Sequence, residues 1–140
     1  MNLLDRNQLL KKEELEIVEV VLGNDEKVFV RQMTGRERDR FEQTLVREVK
    51  DKKGNVTYEK TTEDFRAKLA VCTVCDGAGK LIFEVADYSV LSQNMSAARL
   101  EKIVNAAQKL NKITEDSKED ALKNSDAGET GNSTSDSAEN

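Results

Sequence analysis

Two cysteines three residues apart, Cys72 and Cys75, are the side chains of this chain best spaced to do chemistry. A C-x-x-C pair is half of a structural zinc site and the core of a thioredoxin-type redox centre. Zinc wants four ligands, and the chain holds no third cysteine and no histidine. The redox version sits at a helix N-terminus, where the helix dipole lowers a thiol pKa. Here the apolar pattern places both cysteines at the C-terminal end of a helix, where the dipole raises it. Cysteine is also a common small core residue. The pair reads as structural, and two thiols without a disulfide framework suit a reducing cytoplasm.

The other candidates are weaker. Gly77-Ala78-Gly79-Lys80 touches a phosphate-loop pattern but lacks the earlier glycine, the Ser or Thr after the lysine, and a helix on the correct side. A helix-stopping turn accounts for it. Arg31, Arg36, Arg38 and Arg40 raise the question of a phosphate-binding surface. Interleaved Glu37, Asp39 and Glu42 turn that stretch into a solvated face laced with ion pairs, Arg38–Glu42 among them. The carboxylate pairs Glu13/Glu14, Glu63/Asp64 and Asp116/Glu119 fall in exposed or capping contexts. The absence of histidine removes Ser-His-Asp and Cys-His chemistry. No residue is assigned a catalytic, cofactor-binding or metal role, no cofactor is expected, and the partner-binding residues stay unassigned.

The elements around these residues follow from composition and periodicity. The net charge of −5 over 140 residues is uneven, because residues 115–140 hold eight acids and two lysines. The first 114 residues are close to neutral and hold nearly all the apolar side chains, enough for one core. That balance argues against nucleic acid, and no apolar run reaches the length of a membrane span. The first six residues do not read as a signal peptide.

Leu3, Leu4, Leu9 and Leu10 predict a short helix or ordered arm. Two valine-rich runs around Gly23-Asn24-Asp25-Glu26 predict a β-hairpin over about 15–33. Thr34 and Glu37 have capping-box spacing, and Phe41, Leu45 and Val49 extend a helix over about 35–49. Residues 56–61 read as a short strand or an extended loop. A helix over about 63–75, capped by Thr61 or Thr62, becomes apolar all round from Leu69. A short helix over about 84–91, anchored by Val85, Tyr88 and Leu91, precedes a strong one over about 95–111, capped by Asn94 or Ser96. In that last helix Leu100, Ile103, Val104, Ala107 and Leu110 mark an internal face. The expectation is an α+β chain, mainly α-helical: a small hairpin packed on a helical domain over 1–114, then an acidic tail over 115–140 too polar to order.

Taken in order, these segments resemble the small tail assembly chaperones of long-tailed bacteriophages and prophages. The most specific stretch runs from Val30 to Glu42, a strand followed by Thr34-Gly35-Arg36-Glu37-Arg38 and an aromatic, Phe41, on the next helix. Phe65-Arg66-Ala67-Lys68-Leu69-Ala70-Val71-Cys72 is similar to the family's apolar helix. Asp76-Gly77-Ala78-Gly79-Lys80-Leu81-Ile82-Phe83 is similar to its turn, and Ala106-Ala107-Gln108-Lys109-Leu110-Asn111 to its last helix end. The likeness covers residues 2–114, leaving 50–61 and the tail unmatched.

The resemblance implies a non-enzymatic protein of the host bacterial cytoplasm that is absent from the finished virion. Its partner would be the tape measure protein, kept soluble until tube subunits displace the chaperone. Tail tube protein and a frameshifted longer form of the chain itself are further implied partners; nucleic acid and membrane are not. The alternative is a small non-enzymatic adaptor or regulatory protein that binds another partner through its helical surface.

Overall fold

The structure, a computed structural model, describes residues 1–113. The acidic tail expected over 115–140 lies outside the described residues. The chain is α+β, in the order α1 (Arg6–Leu10), β1 (Ile17–Gly23), β2 (Glu26–Arg31), α2 (Gly35–Gln43), β3 (Val46–Lys50), β4 (Val56–Lys60), α3 (Phe65–Val71), β5 (Val74–Cys75), α4 (Tyr88–Asn94) and α5 (Ala97–Asn111).

The predicted hairpin is present as β1 and β2. Its two-residue turn places Asn24 and Asp25 at φ of 54° and 60°, the positive values that a type I′ turn needs to match strand twist. Val18 pairs with Val30 and Val20 with Val28, so one face of the ribbon is a valine layer. Two strands alone are marginal. This pair gains a third, because β5 joins the free edge of β2 through Phe29–Cys75 and Val30–Val74.

The valine layer packs under α5, whose Leu100, Ile103, Val104 and Ala107 are all buried. Ser96 caps this helix by accepting from Arg99 N–H at 3.2 Å. At its other end Lys112 adopts a left-handed φ of 54°, and Ile113 N–H bonds back to Gln108 O at 2.8 Å. That Schellman-type stop folds Ile113 into the core. Beneath α5, α3 is buried along nearly its whole length, and Phe65 meets Phe41 of α2 edge to face at 5.6 Å.

Several expectations need correction. The helix expected over 35–49 ends at Gln43, and residues 46–50 form a strand paired with residues 56–60. Asp51 decides this: its carboxylate accepts from the N–H groups of Lys53 and Asn55, closing a tight loop with Gly54 at φ 84°. The loop sets Val49 opposite Thr57 and Val46 opposite Lys60, so strand pairing of a β-branched ribbon outweighs a weak helical period. The extended reading of residues 56–61 therefore resolves as a strand.

The helix expected over 63–75 covers only residues 65–71. Thr73 donates its hydroxyl to Leu69 O at 2.8 Å, and Arg31 N–H donates to Thr73 O at 2.9 Å, which draws Val74 and Cys75 into the sheet. Neither Thr61 nor Thr62 caps α3. The N-cap is Asp64, held at φ 56° without a capping bond, its carboxylate accepting from the Ser92 hydroxyl at 2.6 Å. The segment expected over 84–91 is a 3-10 turn at Val85–Asp87 followed by α4, and Val85, expected as an anchor, is exposed. Of the two candidate caps for α5, Ser96 serves and Asn94 does not.

Candidate functional site

The C-x-x-C pair straddles the end of α3 and the start of β5, and both thiols are free and buried. Burial pushes the Cys72 thiol up to about 11 and raises that of Cys75 as well. The dominant cause is desolvation by the core, not the helix dipole expected from sequence. A thiolate nucleophile or ligand is disfavoured at both positions. Among the described residues no group of three potential metal-ligating side chains lies together.

The glycine-rich segment is a turn. Asp76 accepts from Ala78 N–H at 2.9 Å and from Lys80 N–H at 3.0 Å, so the amides a phosphate would need are already occupied. Those bonds hold the Asp76 carboxyl below its usual range. Gly79 sits at φ 88°, where a side chain is strained.

The arginine-rich stretch divides into two kinds of residue. Arg38 pairs with Glu42 at 3.1 Å on the surface and also donates to Asn111 O, as a solvated helix face would. Arg31 departs from that expectation: it is 6% exposed. Its two terminal nitrogens each bond one Glu37 oxygen at 2.8 Å, a bidentate clamp between β2 and the first turn of α2. Glu37 also accepts from Thr34 N–H, completing the predicted capping box. Asn111 ties the same corner to α5 by accepting from Met33 N–H at 2.7 Å. These groups are consumed in holding the fold together.

Exposed apolar side chains are scattered over the described residues, Val21, Tyr58, Ile82 and Val90 among them, but four leucines fall together at the N-terminus. The helix α1 is closed by a complete capping box between Asp5 and Gln8 but buries no residue. Leu3 is 98% exposed and Leu9 and Leu10 are each 67% exposed. Five residues make a helix far too short to persist on its own propensity, so its apolar face lacks the packing that normally sustains one. Beside it runs an open groove of about 760 Å³, lined by Leu9, Leu15, Met33 and Leu110 with Lys11 and Lys12 at its rim. It continues past Gln32 and Leu110 into a second hollow floored by Val18 and Ala106.

Comparison with protein-family models, with curated proteins and with solved structures finds no match. The stripe Leu100, Ile103, Val104 and Ala107 is internal and unavailable to a partner. Sequence reasoning left the partner-binding residues unassigned; the sequence signal for the exposed arm is the leucine pairs at positions 3–4 and 9–10. Across the two helical turns that positions 3 to 10 would make, the four leucines spread over more than half the circumference, too wide for one core face. Among the described residues no helix is long and apolar enough to cross a membrane, so these leucines are not part of a helical span.

Proposed function

We propose that this chain is a tail assembly chaperone of a long-tailed bacteriophage or prophage. In this reading it binds the tape measure protein in the host cytoplasm, keeps it soluble, helps the tail tube assemble and is absent from the finished virion. The observation that carries the reading is the arm: exposed leucines on and before a capped helix, beside a groove in which Leu9, Leu15, Met33 and Leu110 lie among mainly basic and polar residues. An amphipathic helix laid into such a groove buries its apolar face against leucine and methionine and sets its acidic residues beside the lysines. A long helical client offers that surface repeatedly. The order of the family-like motifs along residues 2–114 supports the same reading. The motifs at Thr34–Glu37 and Asp76–Lys80 do architectural work, which a binding module needs and an active site would not require.

The test is co-expression with the tape measure protein encoded in the same tail gene cluster. A soluble complex should form with the native chain and be lost with Leu9→Ser/Leu10→Ser. Those positions contribute nothing to the core, so the variant should stay folded. A tape measure protein equally insoluble with and without the native chain would end the proposal.

A further inference from the structure

The ribbon of β3 and β4 stands almost without support from the rest of the described fold. Neither strand holds a buried residue, and apart from each other the two make no extensive contact with another element. Tyr58 stays 57% exposed and Val56 44% exposed. Two strands with nothing packed against either face are marginal in water.

The bonds that close the ribbon fix which edge groups are spare. Asp51 N–H donates to Asn55 O at 3.0 Å, and Thr61 N–H donates to Leu45 O at 2.8 Å. By the alternation of an antiparallel pair, Val49 with Thr57 and Arg47 with Glu59 also bond inward. Val56 and Tyr58 therefore turn their N–H and C=O groups away from β3, and no group among the described residues takes them up.

The two edges of the ribbon differ. Arg47, Glu48 and Lys50 charge three of the five residues of β3, an edge that resists pairing. The other strand, β4, opens with the uncharged run Val56-Thr57-Tyr58. An antiparallel strand of the same sequence fits β4 along its whole length. Tyr58 then falls opposite Tyr58, Thr57 opposite Glu59 and Val56 opposite Lys60, with no like charges facing. The alternation agrees, because the Tyr58 N–H of each copy donates to the Tyr58 C=O of the other. The same overlay of β3 on itself sets Glu48 against Glu48.

From this self-complementarity we infer that two copies of the chain join edge to edge through β4, making one four-stranded antiparallel sheet about a two-fold axis. The two exposed tyrosines gain an aromatic cross-strand partner that the lone ribbon lacks. The charged β3 edges become outermost, and an isologous contact closes on itself, so assembly stops at two copies. Neither the N-terminal arm nor the chaperone reading enters this contact.

The experiment is sedimentation of the full chain over a range of concentrations, for the native sequence, Tyr58→Pro and Glu48→Pro. Proline at either position removes an N–H that points off the ribbon, so β3 and β4 should stay paired. The native chain and Glu48→Pro should pass from monomer to dimer as concentration rises, and Tyr58→Pro should remain a monomer. A second measurement fixes the register. Chains carrying Thr57→Cys and chains carrying Glu59→Cys should link by a disulfide when mixed and mildly oxidised, since those positions face each other at about 4.5 Å between Cα atoms. Either variant alone should stay unlinked, its cysteines lying about 7–8 Å apart on the diagonal. Cys72 and Cys75 are buried and should take no part. A native chain that stays monomeric would overturn the inference. So would a dimer retained in Tyr58→Pro, dimerisation lost equally in both proline variants, or mixed cysteine chains that fail to link. No tape measure protein is present in this test, so its failure leaves the proposed function standing, and failure of co-expression leaves this contact standing.

Discussion

Replacing Glu37 with glutamine removes the charge that the buried Arg31 guanidinium faces while keeping the side chain's shape. The carboxyl of Glu37 is held at about 2, against an ordinary 4.5, chiefly by its hydrogen bonds to Arg31. A displacement of that size corresponds to about 3 kcal/mol of preference for the charged form in the fold. The Glu37 side chain retains 24% exposure, so solvent screening reduces the expected contribution to about 2 kcal/mol. Glutamine still offers an oxygen to Thr34 N–H, so the helix cap survives and the loss isolates the clamp.

Because the folded-state pKa is depressed, the contribution is complete above 4.5 and is lost as pH falls toward about 2. Urea unfolding of native and Glu37→Gln chains should therefore differ by about 2 kcal/mol at neutral pH. The two curves should converge across the acid window, where the native carboxyl takes up its proton. Equal stabilities at neutral pH, or a difference that does not change with pH, would refute the clamp as the link between β2 and α2.

Ile103 lies at the centre of the core with 2% exposure, so Ile103→Ala should cost about 3 kcal/mol in denaturant unfolding. Two glycines in one turn should respond differently. At Gly79, φ is 88° and an added Cβ would stand 3.2 Å from Ile17 Cδ1, so Gly79→Ala should cost about 1–2 kcal/mol. Gly77→Ala meets nothing nearer than 3.9 Å and should melt within a few degrees of the native chain. Cys72 and Cys75 should resist a thiol reagent at pH 8 in the folded chain and react in full with the urea-unfolded chain, because burial both raises and shields them.

Local chemistry was legible wherever a few neighbouring residues sufficed. The Asn24-Asp25 turn, the Thr34–Glu37 box, one of the two caps expected for α5 and the apolar face of α5 all appear where spacing placed them. The errors lie where a partner distant in sequence made the choice. Val46 and Val49 continue a helical period, yet they pair with Lys60 and Thr57 across a loop whose closure depends on Asp51. Arg31 resembles its exposed neighbours in sequence, but its position on β2 points it at Glu37 from within the corner closed by Asn111.

Thus the sequence alone determined the α+β class, the hairpin, the Thr34–Glu37 capping box and the uneven charge. Each rests on backbone preferences or on counts that no tertiary contact can alter. Tertiary structure decided that Val74 and Cys75 complete a sheet, that Arg31 is a buried clamp, and that Leu3, Leu9 and Leu10 remain outside the core. Burial is a property of where other elements stand, and apolar side chains carry no local mark that separates those a fold keeps from those it offers to a partner.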